Sequence, residues 1–115
     1  MEVELNGKAL QLNFGVRFVR ELDKIAGMEI MVKGVKQNFG MGLAKTVPSL
    51  KSYDAAVLSD VIYAAAWDNK SRPSRSEIDA LIDNPKTDIE GLFDTVLNEM
   101  AEANAVKVAV KNLKA

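Results

Sequence analysis

Residues 6 and 7 are Asn-Gly, and they join two short runs in which apolar and polar residues alternate. A two-residue type I′ turn needs positive φ at both positions, and Asn followed by Gly meets that need at the least cost. With this loop Leu5 lies opposite Lys8, Val3 opposite Leu10 and Met1 opposite Leu12. One face of the hairpin then carries Met1, Val3, Leu5, Leu10 and Leu12, and the other carries Glu2, Glu4, Ala9, Gln11 and Asn13. A slip of one residue would turn the whole apolar set to water, so the register over residues 1–13 is specified. Two strands alone are marginal in water, and the apolar face demands a helical cover.

The next segment supplies it. Phe14, Phe18, Leu22 and Ile25 recur at helical steps with Val19 and Ala26 beside them, while Arg17, Arg20, Glu21 and Lys24 fall largely on the other side. Gly27 suits a left-handed helix stop. The phenylalanines read as core packed on the hairpin, the commoner fate of such rings. Residues 28–42 read as a short strand or an apolar loop punctuated by Gly34, Gly40 and Gly42. Gly40-Met41-Gly42 does not make a nucleotide site. The third glycine of a dinucleotide fingerprint is replaced by Lys45, and Ala44 stands where a phosphate loop needs glycine.

Leu43, Val47 and Leu50 begin another helix, with Pro48 expected to bend or shorten it and Ser52-Tyr53-Asp54 to break and recap the chain. Over residues 54–68, Val57, Leu58, Val61, Ile62, Ala65 and Ala66 cover a wide arc, the pattern of a central core helix with Trp67 at its rim. Ser74 and Glu77 form a capping-box pattern for a helix over 75–83, with Ile78, Leu81 and Ile82 inward and Asp83-Asn84-Pro85 as its stop. Thr87 and Glu90 repeat that pattern before the longest stripe: Ile89, Leu92, Phe93, Val96, Leu97 and Met100, then more weakly Ala103, Val106, Val110 and Leu113. One helix over 88–113 would be about 39 Å long, against a radius of gyration of about 13 Å for a globule of this size. Its end, residues 103–115, is expected either to project beyond the domain or to fray. The fold expected is α+β, mostly α: an N-terminal β-hairpin packed on a bundle of about four to five helices. It forms a single domain over 1–115, with a hairpin at 1–13, a helical core at 14–102 and the terminal helix end at 103–115.

Chemistry is narrowed by what is missing. The 115 residues include no Cys and no His, which excludes disulfides, thiol nucleophiles, His-based triads and zinc sites of Cys/His type. Asp79/Asp83 and Asp94/Asn98 lie one helical turn apart, a commonplace on exposed faces, and no EF-hand spacing exists. No catalytic residue, metal or cofactor is expected. The net charge of −1 is unsuited to a general polyanion binder, so no nucleic acid is expected as a partner. That total hides a gradient: net +3 over residues 1–75, −7 over 76–102 and +3 over 103–115. It reads as a solvated acidic helix face or, more sharply, as a basis for self-association of acidic with basic segments. Lys70, Arg72 and Arg75 read as solvent-facing decoration of a mobile loop. No apolar run approaches the roughly 20 residues of a membrane span. Glu2 and Glu4 after Met1 are unlike a secretory signal, so a soluble cytosolic protein with no membrane partner is expected.

The opening run MEVELNGKALQLNFGVRFVRELDKIAG resembles the start of the phage tail assembly chaperone family of long-tailed phages and prophages of Gram-positive hosts. The order continues with Phe14-Gly15, Phe18, Leu22-Asp23, the run from Phe39 to Leu43, the run from Asp60 to Ala65, and Arg72-Pro73-Ser74, over about residues 1–97. The resemblance implies a non-enzymatic assembly factor. It would bind the tape measure protein, a long helical apolar-rich chain, and keep it soluble in the host cell cytoplasm until the tail tube forms, and it would be absent from the mature virion. Many members are also made in a longer form by ribosomal frameshifting, and the resemblance implies such a form of this chain as a partner besides its own copies.

A holdase needs exposed apolar surface, and Met-rich surfaces adapt to varied clients. The candidate partner-binding residues are therefore Met28, Ile30, Met31 and Val35 in the least legible segment, and Val106, Val110 and Leu113 on the terminal stripe. Replacing the last three by serine is expected to weaken binding with little change in thermal stability. The competing readings are a structural tail or neck component of the virion and a helix-turn-helix DNA-binding regulator built on residues 54–83.

Overall fold

The computed structural model describes residues 1–26, 29–38 and 42–112. Strands β1 (Glu2–Leu5) and β2 (Lys8–Gln11) form the expected antiparallel hairpin with Val3 opposite Leu10 and Leu5 opposite Lys8. Asn6 and Gly7 have φ of 52° and 76°, the two positive values that the turn requires. Leu12 N–H donates to the Met1 carbonyl at 2.8 Å, which carries the pairing one residue further. Leu10 and Leu12 are buried in the core, and Met1, Val3 and Leu5 pack against it.

Helix α1 (Val16–Ala26) follows, but the hairpin packs more on the 3₁₀ turn Ala66–Asp68, which meets β2, than on α1, the cover that the sequence predicts. Phe18 and Leu22 are fully buried, and the Phe14 and Phe18 rings meet edge to face at 5.0 Å, so both phenylalanines are core residues as expected. The illegible segment holds a second antiparallel hairpin, β3 (Glu29–Val32) and β4 (Val35–Asn38), in register from Glu29 opposite Asn38 to Val32 opposite Val35. Its turn is Lys33-Gly34, with φ of 51° and 77°. This is the same turn geometry as Asn6-Gly7, but lysine in the left-handed region is a rarer choice than asparagine and leaves no sequence signal.

Helix α2 (Gly42–Lys51) follows, and its first N–H is held from α1: Gly42 N–H donates to Asp23 Oδ1 at 2.9 Å. A methyl at Gly42 would stand 2.7 Å from that oxygen and 3.3 Å from the Asp23 backbone nitrogen. The second hairpin is thus an excursion between two points clamped together. Helix α2 ends in a Schellman arrangement, with Asp54 N–H donating to the Ser49 carbonyl and Tyr53 N–H to the Leu50 carbonyl, both at 3.0 Å. Tyr53 occupies the left-handed position, φ 60°, where glycine is usual. Its ring packs edge to face on Phe93 at 5.2 Å, which offsets the backbone cost.

Asp54 then caps α3 (Ala55–Ala65), accepting from Val57 N–H at 3.2 Å. Leu58, Val61, Ile62, Ala64 and Ala65 are fully buried, and α1, α2 and α4 all pack on this helix. A 3₁₀ turn (Ala66–Asp68) ends it and presents Trp67, half-buried against the core, whose Nε1–H donates to the Asn13 carbonyl at 3.3 Å. Asn69 seals the free edge of β2 by accepting from Gln11 N–H at 3.1 Å and donating to the Gln11 carbonyl at 2.8 Å.

Helix α4 (Arg75–Asp83) has the full capping box of Ser74 and Glu77 that its sequence predicts. The next cap differs from expectation. Asp88, not Thr87, caps α5 (Ile89–Glu102) by accepting from Gly91 N–H at 3.1 Å, while Thr87 Oγ1 donates back to the Leu81 carbonyl at 2.7 Å.

The single helix expected over 88–113 is two helices. Helix α5 stops at Ala103, whose backbone turns extended (φ −73°, ψ 128°), and α6 (Lys107–Asn112) begins after one turn, packed against α5 and α2. The weak stripe explains the break: Val106 is fully buried and Val110 is 8% exposed, so folding back buries side chains that a straight helix would carry into water. Of the terminal end expected over 103–115, the described residues 103–112 therefore fold back on the domain through Val106 and Val110 rather than projecting from it.

Two outcomes follow. Val106→Ser should lower unfolding free energy by about 2–3 kcal/mol in denaturant titration, since it removes buried methyls and buries a hydroxyl; this replaces the near-neutral effect expected from sequence. Tyr53→Ala should be the more destabilising of two changes at that site, with Tyr53→Gly recovering about 1 kcal/mol because glycine tolerates the left-handed backbone.

Candidate interaction surfaces

Arg72 is not loop decoration. Its Nε and one terminal nitrogen donate to the Tyr63 carbonyl at 3.1 and 2.6 Å, and its other terminal nitrogen reaches Glu21 Oε1 at 3.1 Å. The guanidinium also lies 3.8 Å from the centre of the Tyr63 ring. Those contacts bind the segment before α4 to the end of α3 and the middle of α1. Glu21 sits at their centre with its side chain only 8% exposed, paired with Lys24 at 2.9 Å and Arg17 at 3.7 Å as well as with Arg72. The hydrogen bond from Lys24 is the largest influence on its carboxyl and, with the charges of Lys24, Arg72 and Arg17, holds its pKa below the usual value despite the opposing effect of burial. Beside this knot Arg75 pairs with Asp60, and Ser59 donates to Asp79. Burial pushes the Asp60 carboxyl up, against the pull of Arg75. Lys70, the third basic residue of the loop, is exposed as expected.

A carboxyl whose folded pKa is depressed stabilises the fold above its unfolded value of 4.5, and that contribution disappears as pH falls through the lower folded value. Glu21→Gln should therefore destabilise the fold at pH 7, since it removes the charge that Lys24, Arg72 and Arg17 meet. The gap to the parent should close in acid, read as converging denaturation midpoints below pH 4.5.

The candidate partner-binding residues fall in three places. Ile30 and Met31 lie in β3 and Val35 in β4. Among the described residues no third strand pairs with this hairpin. Val106 and Val110 are buried, while Met28 and Leu113 lie outside the described residues.

Folding α6 back creates a surface that the sequence did not disclose. A groove of about 490 Å³ opens between the end of α2, α5 and α6. Leu97, Ala101, Val108 and Val110 give it an apolar lining, and the charged residues that line it are Lys51, Lys107 and Lys111. Val108 is 61% exposed, the most exposed of the large apolar side chains among the described residues. A second cleft, of about 520 Å³, is acidic, with Asp68, Glu99 and Glu102 around Met1, Leu12 and Phe14. Among the described residues no three acidic side chains converge closely enough to hold a metal ion, and no helix is long and apolar enough to cross a membrane.

Fold and surface define a small, mostly helical α+β domain with a hairpin at its N-terminus and an apolar groove rimmed by lysines. The family model described as "phage tail assembly chaperone protein" matches residues 2–114, nearly the whole chain. The protein belongs to that family. No curated protein and no solved structure matches the chain significantly.

Proposed function

We propose that this protein binds the tape measure protein and keeps it soluble while the tail assembles, acting without an enzymatic step. The observation that carries this reading is the family match over residues 2–114, which takes in every element described above. The physical chemistry supports it. A holdase must offer apolar surface without aggregating, and the groove does so in a small patch ringed by like charges. Weak contacts suffice when many copies coat one long client, because each bound copy raises the effective concentration of the next. Self-association and a frameshifted longer form would add to that avidity. The place of action is the cytoplasm of the host cell, and the mature virion would lack the protein. The second hairpin, with Ile30, Met31 and Val35, is a further contact element in this reading, whereas Val106 serves by holding α6 in place.

Co-expression with the tape measure protein, followed by affinity capture and fractionation, tests this. The expected result is a soluble client that co-purifies with many copies of this chain. A client that stays insoluble and alone, together with this chain in purified virions by mass spectrometry, would overturn it in favour of a structural tail component.

A further inference from the structure

We propose that the groove between α2, α5 and α6 is a docking site for an amphipathic helix whose apolar stripe is flanked by acidic residues. The inference deepens the client-binding reading above and rests on it.

Two observations and the usual mode of helix recognition point to this occupant. The lining is apolar along Leu97, Ala101 and Val108, so the contact is made by an apolar stripe. Such a stripe in a groove between helices is met by residues at helical spacing, the helix-in-groove mode of recognition. Among the described residues, the charged side chains that line it are lysines, one from α2 and two from α6, so acidic flanks on the incoming helix gain from the rim and basic flanks are repelled.

A second copy of this chain fits less well. Its acids are concentrated over residues 76–102, on α4 and α5. The apolar stripes of those helices are already spent, with Ile78, Phe93, Val96 and Met100 buried in their own core. Such a copy would bring negative charge with a single exposed large apolar side chain on those helices, Ile89, rather than a stripe to place on Val108. A foreign helix carrying both completes the groove.

Val108 and the lysines are suited to test this without disturbing the fold. Val108, Lys107 and Lys111 are exposed, and none of them belongs to the core. The probe is a fluorescent synthetic helix of about 20 residues, long enough to be helical in water, with a leucine-alanine stripe between rows of glutamate. A twin has lysine in place of glutamate. Anisotropy titration of the full chain should show binding of the acidic peptide only, weakening as salt rises. Val108→Asp should weaken it about tenfold or more, and so should the pair Lys107→Glu and Lys111→Glu, with melting temperatures unchanged. Amide shift changes should fall on Leu97, Ala101 and Val108.

Equal binding of the two peptides, binding that Val108→Asp leaves intact, or no binding would each overturn the proposal. A concentration-dependent dimer that Val108→Asp dissolves, with no peptide binding, would assign the groove to a second copy instead. The client reading fails separately. Peptide binding with an insoluble tape measure protein would keep the groove and remove that client. A client solubilised equally well by the Val108→Asp variant would keep the client and move its contact elsewhere.

Discussion

Helix α3 is apolar around most of its circumference, and a helix of that kind is stable only when it is enclosed. Leu58, Val61, Ile62, Ala64 and Ala65 are all fully buried. Helices α1, α2 and α4 close around it, and the N-terminal hairpin is tied to its end through the Asn13 N–H bond to the Ala65 carbonyl at 2.9 Å. The order of the chain follows from that demand. Along the chain the hairpin and α1 come first, an excursion returns to α2, and α3 follows, packed on both α1 and α2.

Polar groups are settled where this enclosure leaves backbone without a helix partner. The carbonyl of Tyr63, near the end of α3, takes two bonds from Arg72, and the remaining charge of that guanidinium is met by Glu21 from α1. A carboxylate so little exposed is tolerable only because three cations surround it. Asp23 does a parallel service at the other end of the long excursion by holding the first N–H of α2. Both devices join segments distant in sequence, and both lie away from the lysine-rimmed groove. The exposed groove residues Val108, Lys107 and Lys111 take no part in either device, so they can be altered without undoing it.

The groove is a by-product of how the chain ends. Once Val106 and Val110 are drawn inward, the neighbouring Val108 and two lysines of α6 are turned outward beside α5. A short helix cannot be apolar on one side without presenting its other side to water. Here that side, with Lys51 of α2, makes a positively rimmed apolar trough on a protein whose net charge is −1. Such a rim favours acidic surfaces and repels surfaces of like charge.

Much of this was determined by sequence alone because the signals are local. Asn6-Gly7 dictated its turn, Ser74 and Glu77 their box, and the period of apolar residues placed α1, α3, α4 and the start of α5. The family, too, was legible in short motifs, and two of their residues, Asp23 and Gly42, meet in the fold. The rest was decided by tertiary structure. Lys33-Gly34 turns a hairpin without a favourable first residue, Asp88 displaces Thr87 as the cap, and Arg72 leaves solvent for a carbonyl that only folding brings near. The break at Ala103 is the clearest case. Helical periodicity favours continuing and no Gly or Pro opposes it, but burying Val106 and Val110 against α5 and α2 outweighs the unbroken backbone bonds. That choice depends on surfaces far apart in the chain, and no local pattern of residues can encode it.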